Sequence, residues 1–433
     1  MTVVKFGGRT KPAWVDSLDR TKAGACKATA HNVLLILRND LEVKGRFWRD
    51  EFSGQAVKVG DLPWGSFDHA AIVDGDGFEL AAYVGQPATY GMPAPSALCH
   101  EAIQAAADRF PFHPVRAYLG RLVWDGTARL RQLFGGWCGG RESEYRTRCA
   151  TIMLVSAVAR VYEPGVKVDT MIVLEGPQGA GKTRLTRELF GADWYAEATE
   201  SPGSKDFHQC LIGRWVIEIG EMEIFSKAEV GRIKQAITTQ SDWYRESYGR
   251  VARAHPRQCI FVGTTNDTQY LRDPTGGRRF LPVTVGPSVR VEAMLEHRDQ
   301  VWAEAVHLYR QGFRWWDLPI EAAAEQEARY QQDGWEGLLA RFLDALPQKE
   351  REAPGIVRAV DGSVESFFLP DLLVEAVGLD YSRQHKSEEV RAAQALRRLG
   401  WCKASGQHGA KRQRLWVRDE QRAGGEVVSP SHG

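Results

Sequence analysis

At 433 residues the chain has room for two to four domains, and 43% hydrophobic with 26% charged residues is the balance of an ordinary globular protein. A net charge of +1 excludes a uniformly basic surface, so any nucleic-acid contact must be a local patch. Seven scattered cysteines with no C-x-x-C pair exclude a zinc ribbon and a disulfide framework, and point to a reduced, cytoplasmic setting.

Residues 1–110 are expected to form a small mixed accessory domain. The short polar stretch Met1 to Lys11 has no apolar core for a secretion signal, and no apolar run approaches the ~20 residues of a membrane span. Helices are expected from Ala30 to Asp40, carrying Val33 to Leu37, and from Ser96 to Phe110. Asp74 and Asp76 have the spacing of a metal pair, but their Asp-Gly dipeptides read as a solvated turn. No primase acids stand out. Residues 111–165 form an entry segment that opens on Pro111 to Pro114 and becomes helical from Thr147 to Tyr162.

The motor candidate spans 166–316. Its first strand, Met171 to Leu174, leads into Gly176-Pro177-Gln178-Gly179-Ala180-Gly181-Lys182-Thr183, and a helix is expected from Thr183 to Phe190. G-x-x-x-x-G-K-T between strand and helix is a phosphate-binding loop: glycines let N–H groups turn toward phosphate oxygens, Lys182 reaches the β- and γ-phosphates, and Thr183 ligates Mg²⁺. ATP and Mg²⁺ are the expected ligands. Trp215 to Gly220 is an apolar strand with Glu218 and Glu221 at its end. One acid is expected to hold Mg²⁺, with Glu218 favoured, and the other to polarise the attacking water, with Glu221 favoured; the roles are open to exchange.

Lys234 to Arg257 carries Lys234, Arg245, Arg250, Arg253 and Arg257 interleaved with Trp243, Tyr244 and Tyr248, a composition suited to a hairpin on a nucleic-acid backbone or to a solvated face. A third strand, Cys259 to Gly263, ends in Thr264-Thr265-Asn266, where Asn266 can hold the lytic water or touch the γ-phosphate. Then Gly276-Gly277 places Arg278 and Arg279 before a further strand, Phe280 to Val285; Arg279, with Arg278 as alternate, suits an arginine finger.

A polar connector is expected at 317–334, a domain at 335–420 and a disordered tail at 421–433. Helices at 337–346, 369–377 and 387–399, then two strands, suggest a winged helix. Nine bases against two acids between Gln384 and Arg418 suggest phosphate contact, with Arg397, Arg398, Lys411 and Arg412 foremost.

The motif order G-P-Q-G-x-G-K-T, W-V-I-E-I-x-E, G-T-T-N-D and Y-L-R-D-P-T-G-G-R-R-F resembles the virulence-associated protein E family, helicase-like ATPases of phages and mobile elements related to superfamily 3 helicases. His113 to Leu119, Leu122 to Gly126 and Arg298 to Ala305 also fit, so the likeness covers about residues 100–316. It implies an α/β, AAA+-like P-loop motor assembling as a ring, expected to be a hexamer, with ATP at subunit interfaces and the finger acting in trans. It implies single-stranded DNA in a central channel met by the hairpin of 234–257, with duplex DNA expected at the C-terminal domain. Relatives often carry a primase; here a separate primase or host replication proteins are the expected partners. A DNA-binding ATPase switch without unwinding and a non-catalytic interaction protein are the rival readings.

Overall fold

The computed structural model describes residues 12–200, 202–244, 252–271, 274–330, 334–344, 355–359, 362–408 and 411–419. The chain divides into two compact units, Met1–Tyr330 and Gln331–Gly433.

The first unit opens with α1 (Ala30–Asn39), β1 (Phe47–Asp50), β2 (Ala56–Leu62), β3 (Gly65–Ala71), α2 (Asp74–Gly85), α3 (Ser96–Ala107) and β4 (Pro111–Phe112). Thr29 starts α1 by accepting from the Asn32 backbone N–H. Val33, Ile36 and Leu37 then share one face, as helical spacing dictates, and pack with Leu80, Val84 and Ile103 from α2 and α3. These helices cover a sheet of order β3-β2-β1-β4, in which β1 pairs β4 in parallel. The structure corrects the expectation of a solvated turn: Asp74, which is exposed, and Asp76, which is buried, both lie in the first turn of α2. Asp76 is 2% exposed and takes Lys58 Nζ at 2.6 Å. Its other oxygen accepts from the Val73 N–H, so helix capping and ion pairing overrode the turn signal.

Next come α4 (Pro114–Gly120), α5 (Leu130–Phe134) and α6 (Glu144–Tyr162), then β5 (Met171–Glu175), α7 (Lys182–Phe190), β6 (Tyr195–Glu197), α8 (Lys205–Cys210), β7 (Val216–Ile219) and α9 (Lys227–Thr238). The hairpin β8 (Ser241–Tyr244) and β9 (Arg253–Pro256), β10 (Ile260–Thr265), β11 (Phe280–Thr284), α10 (Val291–Leu295), α11 (Arg298–Arg310) and α12 (Ala322–Ala328) complete the unit. The strands form a parallel sheet of order β11-β5-β10-β7-β6. Every residue of β5, β7 and β10 is buried, as expected of parallel strands covered on both faces. Helix α6 is buried almost all round from Cys149 to Val161 and packs on β5, β10 and β11. Each aliphatic side chain buried there contributes about 1.5–3 kcal/mol. Tryptophans fill much of this core. Trp215 and Trp302 stack at 4.1 Å, their ring N–H groups donating to Ala157 O and Leu189 O, and Trp194 meets Trp215 edge-on.

The second unit contains α13 (Gly334–Asp344), β12 (Ile356–Arg358), β13 (Val364–Phe367), α14 (Leu369–Leu372) continued by a π turn, α15 (Lys386–Arg398), β14 (Trp401–His408) and β15 (Lys411–Arg418). Its antiparallel sheet has the order β12-β13-β15-β14, over a core that includes Leu339, Leu372, Leu396, Trp401 and Trp416. The β12–β13 hairpin is absent from the expected helix–helix–helix–strand–strand order; strands of three and four residues are too short to show a period. Among the described residues no helix is long and apolar enough to cross a membrane.

Candidate functional site

The loop from Gly176 to Gly181 sits at the carboxyl end of β5, between the ends of β10 and β11. Gly176 donates to Thr265 O, and Val289 donates to Ala180 O, so the loop is tied on both sides. A Cβ at Gly176 would lie 2.6 Å from Val285 Cγ2, and Gly181 has φ +99°, so neither position accepts a larger residue without displacement or strain. Lys182 opens α7 and is 8% exposed. Its Nζ donates to Gly176 O at 2.6 Å, Pro177 O at 3.0 Å and Asn266 Oδ1 at 3.0 Å. Burial lowers the Lys182 ammonium below its ordinary value, opposed by the fields of Glu223 and Glu218.

Glu218 is 1% exposed on β7, between β10 and β6. It accepts from Thr183 Oγ1 at 2.6 Å, Thr264 Oγ1 at 3.0 Å and Tyr195 Oη at 3.1 Å. Burial pushes its carboxyl above the ordinary value, and these hydroxyl donors pull it partly back. Asn266 follows β10 and meets a residue the sequence reading passed over, Glu223. Glu223 Oε1 accepts from the Asn266 backbone and side-chain nitrogens at 3.3 and 3.2 Å, and Oε2 accepts from Thr265 Oγ1 at 2.7 Å. Glu221 is exposed, with φ +50°. That left-handed residue starts a 3₁₀ turn, Met222–Ile224, which presents Glu223 to β10. Backbone reversal at a single residue leaves no period to read, although Glu-x-Glu spacing was there to be noticed.

Glu175, the last residue of β5, is 1% exposed and accepts from Arg329 Nε at 3.0 Å and Nη2 at 3.0 Å, and from Thr284 Oγ1 at 3.1 Å. Arg329 also pairs with Glu325. Residues expected to be a mere connector therefore neutralise a buried charge at the root of the loop. A buried glutamate ending an apolar strand was the available signal.

Thr183 and Glu218 present oxygen ligands, the donor set a hard cation such as Mg²⁺ takes. Among the described residues no group of three or more His, Cys, Asp or Glu side chains could hold a metal ion.

Arg278 (exposed) and Arg279 (half-buried) precede β11. Because Phe280 pairs with Met171 and Thr284 with Glu175, the arginines lie at the amino ends of the strands, about 13 Å of strand away from the loop root. The structure does not bring them to their own chain's crevice. They line a cavity of about 530 Å³ with Lys167, Asp169, Trp315 and Trp316.

The expected nucleic-acid residues divide. Arg253 is exposed on β9, and Trp243 is 73% exposed on β8. Arg257 and Lys234 correct the expectation, being 5% and 7% exposed. Arg257 holds Asp242 through Nε and Nη2 at 2.6 and 2.7 Å and also donates to Ala236 O. Lys234 lies over the Phe280 ring. Arg245 and Arg250 lie outside the described residues. In the second unit Arg397 is exposed, whereas Arg398 Nε sits 3.8 Å from Glu336 Oε1. Arg391, Lys403 and Arg418 lie over Trp335, Trp416 and Trp401, so much of the basic excess packs on its own tryptophans. Lys411 and Arg412 open β15, with side chains outside the described residues.

No curated protein matches the chain. Two apo structures of the NrS-1 C-terminal region are similar in shape. One is 12% identical with a TM-score of 0.47, covering 86% of this chain and 96% of the other. The second is 11% identical with a TM-score of 0.48, covering 86% and 95%. Likeness at that level carries no activity across. The model of the virulence-associated protein E-like domain matches residues 119–335, half the sequence. That span takes in the Gly176–Thr183 loop, Glu218, Asn266, the paired arginines and Arg329, and the chain belongs to the virulence-associated protein E-like family.

Proposed function

We propose that the chain is an ATP-dependent DNA helicase of a phage or other mobile element, built on an AAA+-like motor and working in replication as a ring, with six copies as the working number. The observation that carries this reading is the convergence of Lys182, Asn266 and Glu223 beside the Thr183–Glu218 pair, at the carboxyl ends of adjacent parallel strands. Lys182 exchanges its loop carbonyls for the β- and γ-phosphates of ATP. Mg²⁺, when bound, would offset the phosphate charge, with Thr183 and Glu218 on its protein side. Asn266 orients the attacking water, and Glu221 or Glu223 polarises it; Glu223 has the direct bond to Asn266. Arg279, or Arg278 beside it, serves the nucleotide of a neighbouring copy, which accords with their distance from their own loop. The exposed Trp243 and Arg253 of the β8–β9 hairpin meet the single strand, and the second unit, read as winged-helix-like, meets duplex through residues such as Arg397. A separate primase or host replication proteins complete the reaction setting.

The test is unwinding of a labelled fork by wild type, Lys182→Ala and Arg279→Ala. Both variants are expected to lose strand displacement, and their mixture to recover part of the ATPase. DNA-stimulated hydrolysis without displacement would leave a nucleotide-controlled DNA switch; full displacement by Lys182→Ala would end the motor reading.

A further inference from the structure

The root of the β8–β9 hairpin holds a second buried guanidinium, and this one meets no carboxylate. Arg160, near the end of α6, is 1% exposed. Among the described residues its only acceptors are two main-chain carbonyls: Nη1 donates to Arg257 O and Nη2 to Thr239 O, both at 3.5 Å. That length is the outer limit of such a bond, and Nε is buried with no partner. A guanidinium carries five N–H donors, so most of the demand of Arg160 is unmet. Burial pulls it down to about 10; Cys259 opposes that fall, Arg257 adds to it, and Asp242 and Asp169 oppose it, so the group stays charged at neutral pH. A buried cation in this condition costs the fold stability, and an apolar side chain of similar length would fill the space without that cost.

Its contacts give the guanidinium a use. Thr239 lies shortly before β8 and Arg257 directly after β9, so Arg160 spans the two legs of the hairpin. The seam around it is close. Gly165 donates its N–H to the same Arg257 O at 2.9 Å, and a Cβ on Gly165, whose φ is +85°, would lie 3.2 Å from Gln240 O. From there α6 runs back through the core and packs on β5, β10 and β11. One turn from Arg160, Ala157 O accepts the indole N–H of Trp215, the residue before β7 and its Glu218. One helix thus has its end on the hairpin and its flank on the strands that build the crevice.

Asp169 offers a second seat. It stands just before β5, its Oδ2 holds Lys167 at 3.0 Å, and its Oδ1 is buried with no partner. A loosely held cation between two carbonyls and a carboxylate oxygen with an open bond is an element with two arrangements.

We infer that Arg160 is a positioning residue for strand-stimulated hydrolysis: it clasps the legs of the β8–β9 hairpin through Thr239 O and Arg257 O, shifts toward Asp169 when a bound strand displaces the hairpin, and so passes the movement through α6 to β5 and the Gly176–Thr183 loop. This deepens the motor reading and rests on it, but the path lies within a single chain.

The test separates basal from stimulated hydrolysis in the full-length protein. ATP turnover with Mg²⁺ is measured with and without a single-stranded oligonucleotide of mixed sequence, together with oligonucleotide affinity and melting temperature. Arg160→Met is expected to keep basal turnover and affinity, to reduce the stimulation about fivefold or more, and to melt at the same temperature or higher. Arg160→Lys, whose ammonium lacks the fork that spans both carbonyls, is expected to recover part of the stimulation. Asp169→Asn, which removes the charge of the second seat, is expected to lose stimulation as Arg160→Met does. Full stimulation in either Arg160→Met or Asp169→Asn overturns the inference. So does an Arg160→Met protein that melts lower and loses basal and stimulated turnover in equal proportion, which would make Arg160 a structural anchor. If wild type hydrolyses ATP at a rate the oligonucleotide does not change, the inference fails while the nucleotide reading stands. If wild type neither binds nor hydrolyses ATP, the motor reading fails and takes the inference with it.

Discussion

The crevice around Lys182 and the root of the β8–β9 hairpin both concentrate charge, yet they use it in opposite ways. In the crevice Lys182 is held by carbonyl and amide oxygens, with no carboxylate in direct contact, so an incoming phosphate can replace its partners. At the hairpin root Arg257 is locked to Asp242 by two short bonds, with His208 Nδ1 3.1 Å from the same carboxylate. That pair has no unmet demand to offer a ligand. A cation becomes a binding group through what it lacks, and the number of cations in a segment does not report that.

The largest effect that would break this contrast is at the hairpin root. Arg257→Ala strands the buried Asp242 carboxylate and is expected to cost about 3–5 kcal/mol, read as a fall in thermal or denaturant stability. Arg257→Met with Asp242→Leu should recover most of it. If Arg257→Ala instead leaves stability intact and weakens DNA binding, the root is a contact surface after all. Lys182→Ala should do the reverse: hydrolysis falls about 10²–10³-fold with little change in melting temperature.

Glu218 sharpens the comparison through pH. Burial raises its carboxyl above the ordinary value of 4.5, so the folded state holds its proton more tightly than the unfolded one. Stability from this group therefore falls as pH rises from 4.5 through the raised value. Glu218→Gln should remove that fall while abolishing hydrolysis. Melting curves across pH check the sign. The smallest effect is at the hairpin's exposed face. Arg253→Ala should leave stability within about 0.5 kcal/mol of wild type and reduce the salt dependence of DNA binding by about one counterion.

The parallel sheet and the loop were legible because each carries a local constraint. Apolar runs of four to six residues mark buried strands, and Gly176, Gly181 and Lys182 occupy fixed places in a motif whose backbone path they dictate. Glu218 and Asn266 followed from their places at strand ends. Glu223 and Arg329 did not. One reaches the site through a left-handed turn at Glu221, the other across 154 residues of sequence to Glu175. The inward-facing Arg257 and Lys234 were misread because composition gives the charge of a side chain and not its direction. The β12–β13 hairpin escaped because its strands are shorter than any period that could reveal them.

The Arg329–Glu175 pair sets where this protein can be cut. A fragment ending near residue 316 would contain every recognisable motif yet leave the Glu175 carboxylate entombed one residue before Gly176 without its guanidinium. In such a fragment the Gly176–Thr183 loop would rest on an unpaired buried charge, and its failure in any assay would say nothing about the need for the residues beyond 330. Fragments meant to isolate hydrolysis should run at least through Tyr330, where the first compact unit closes.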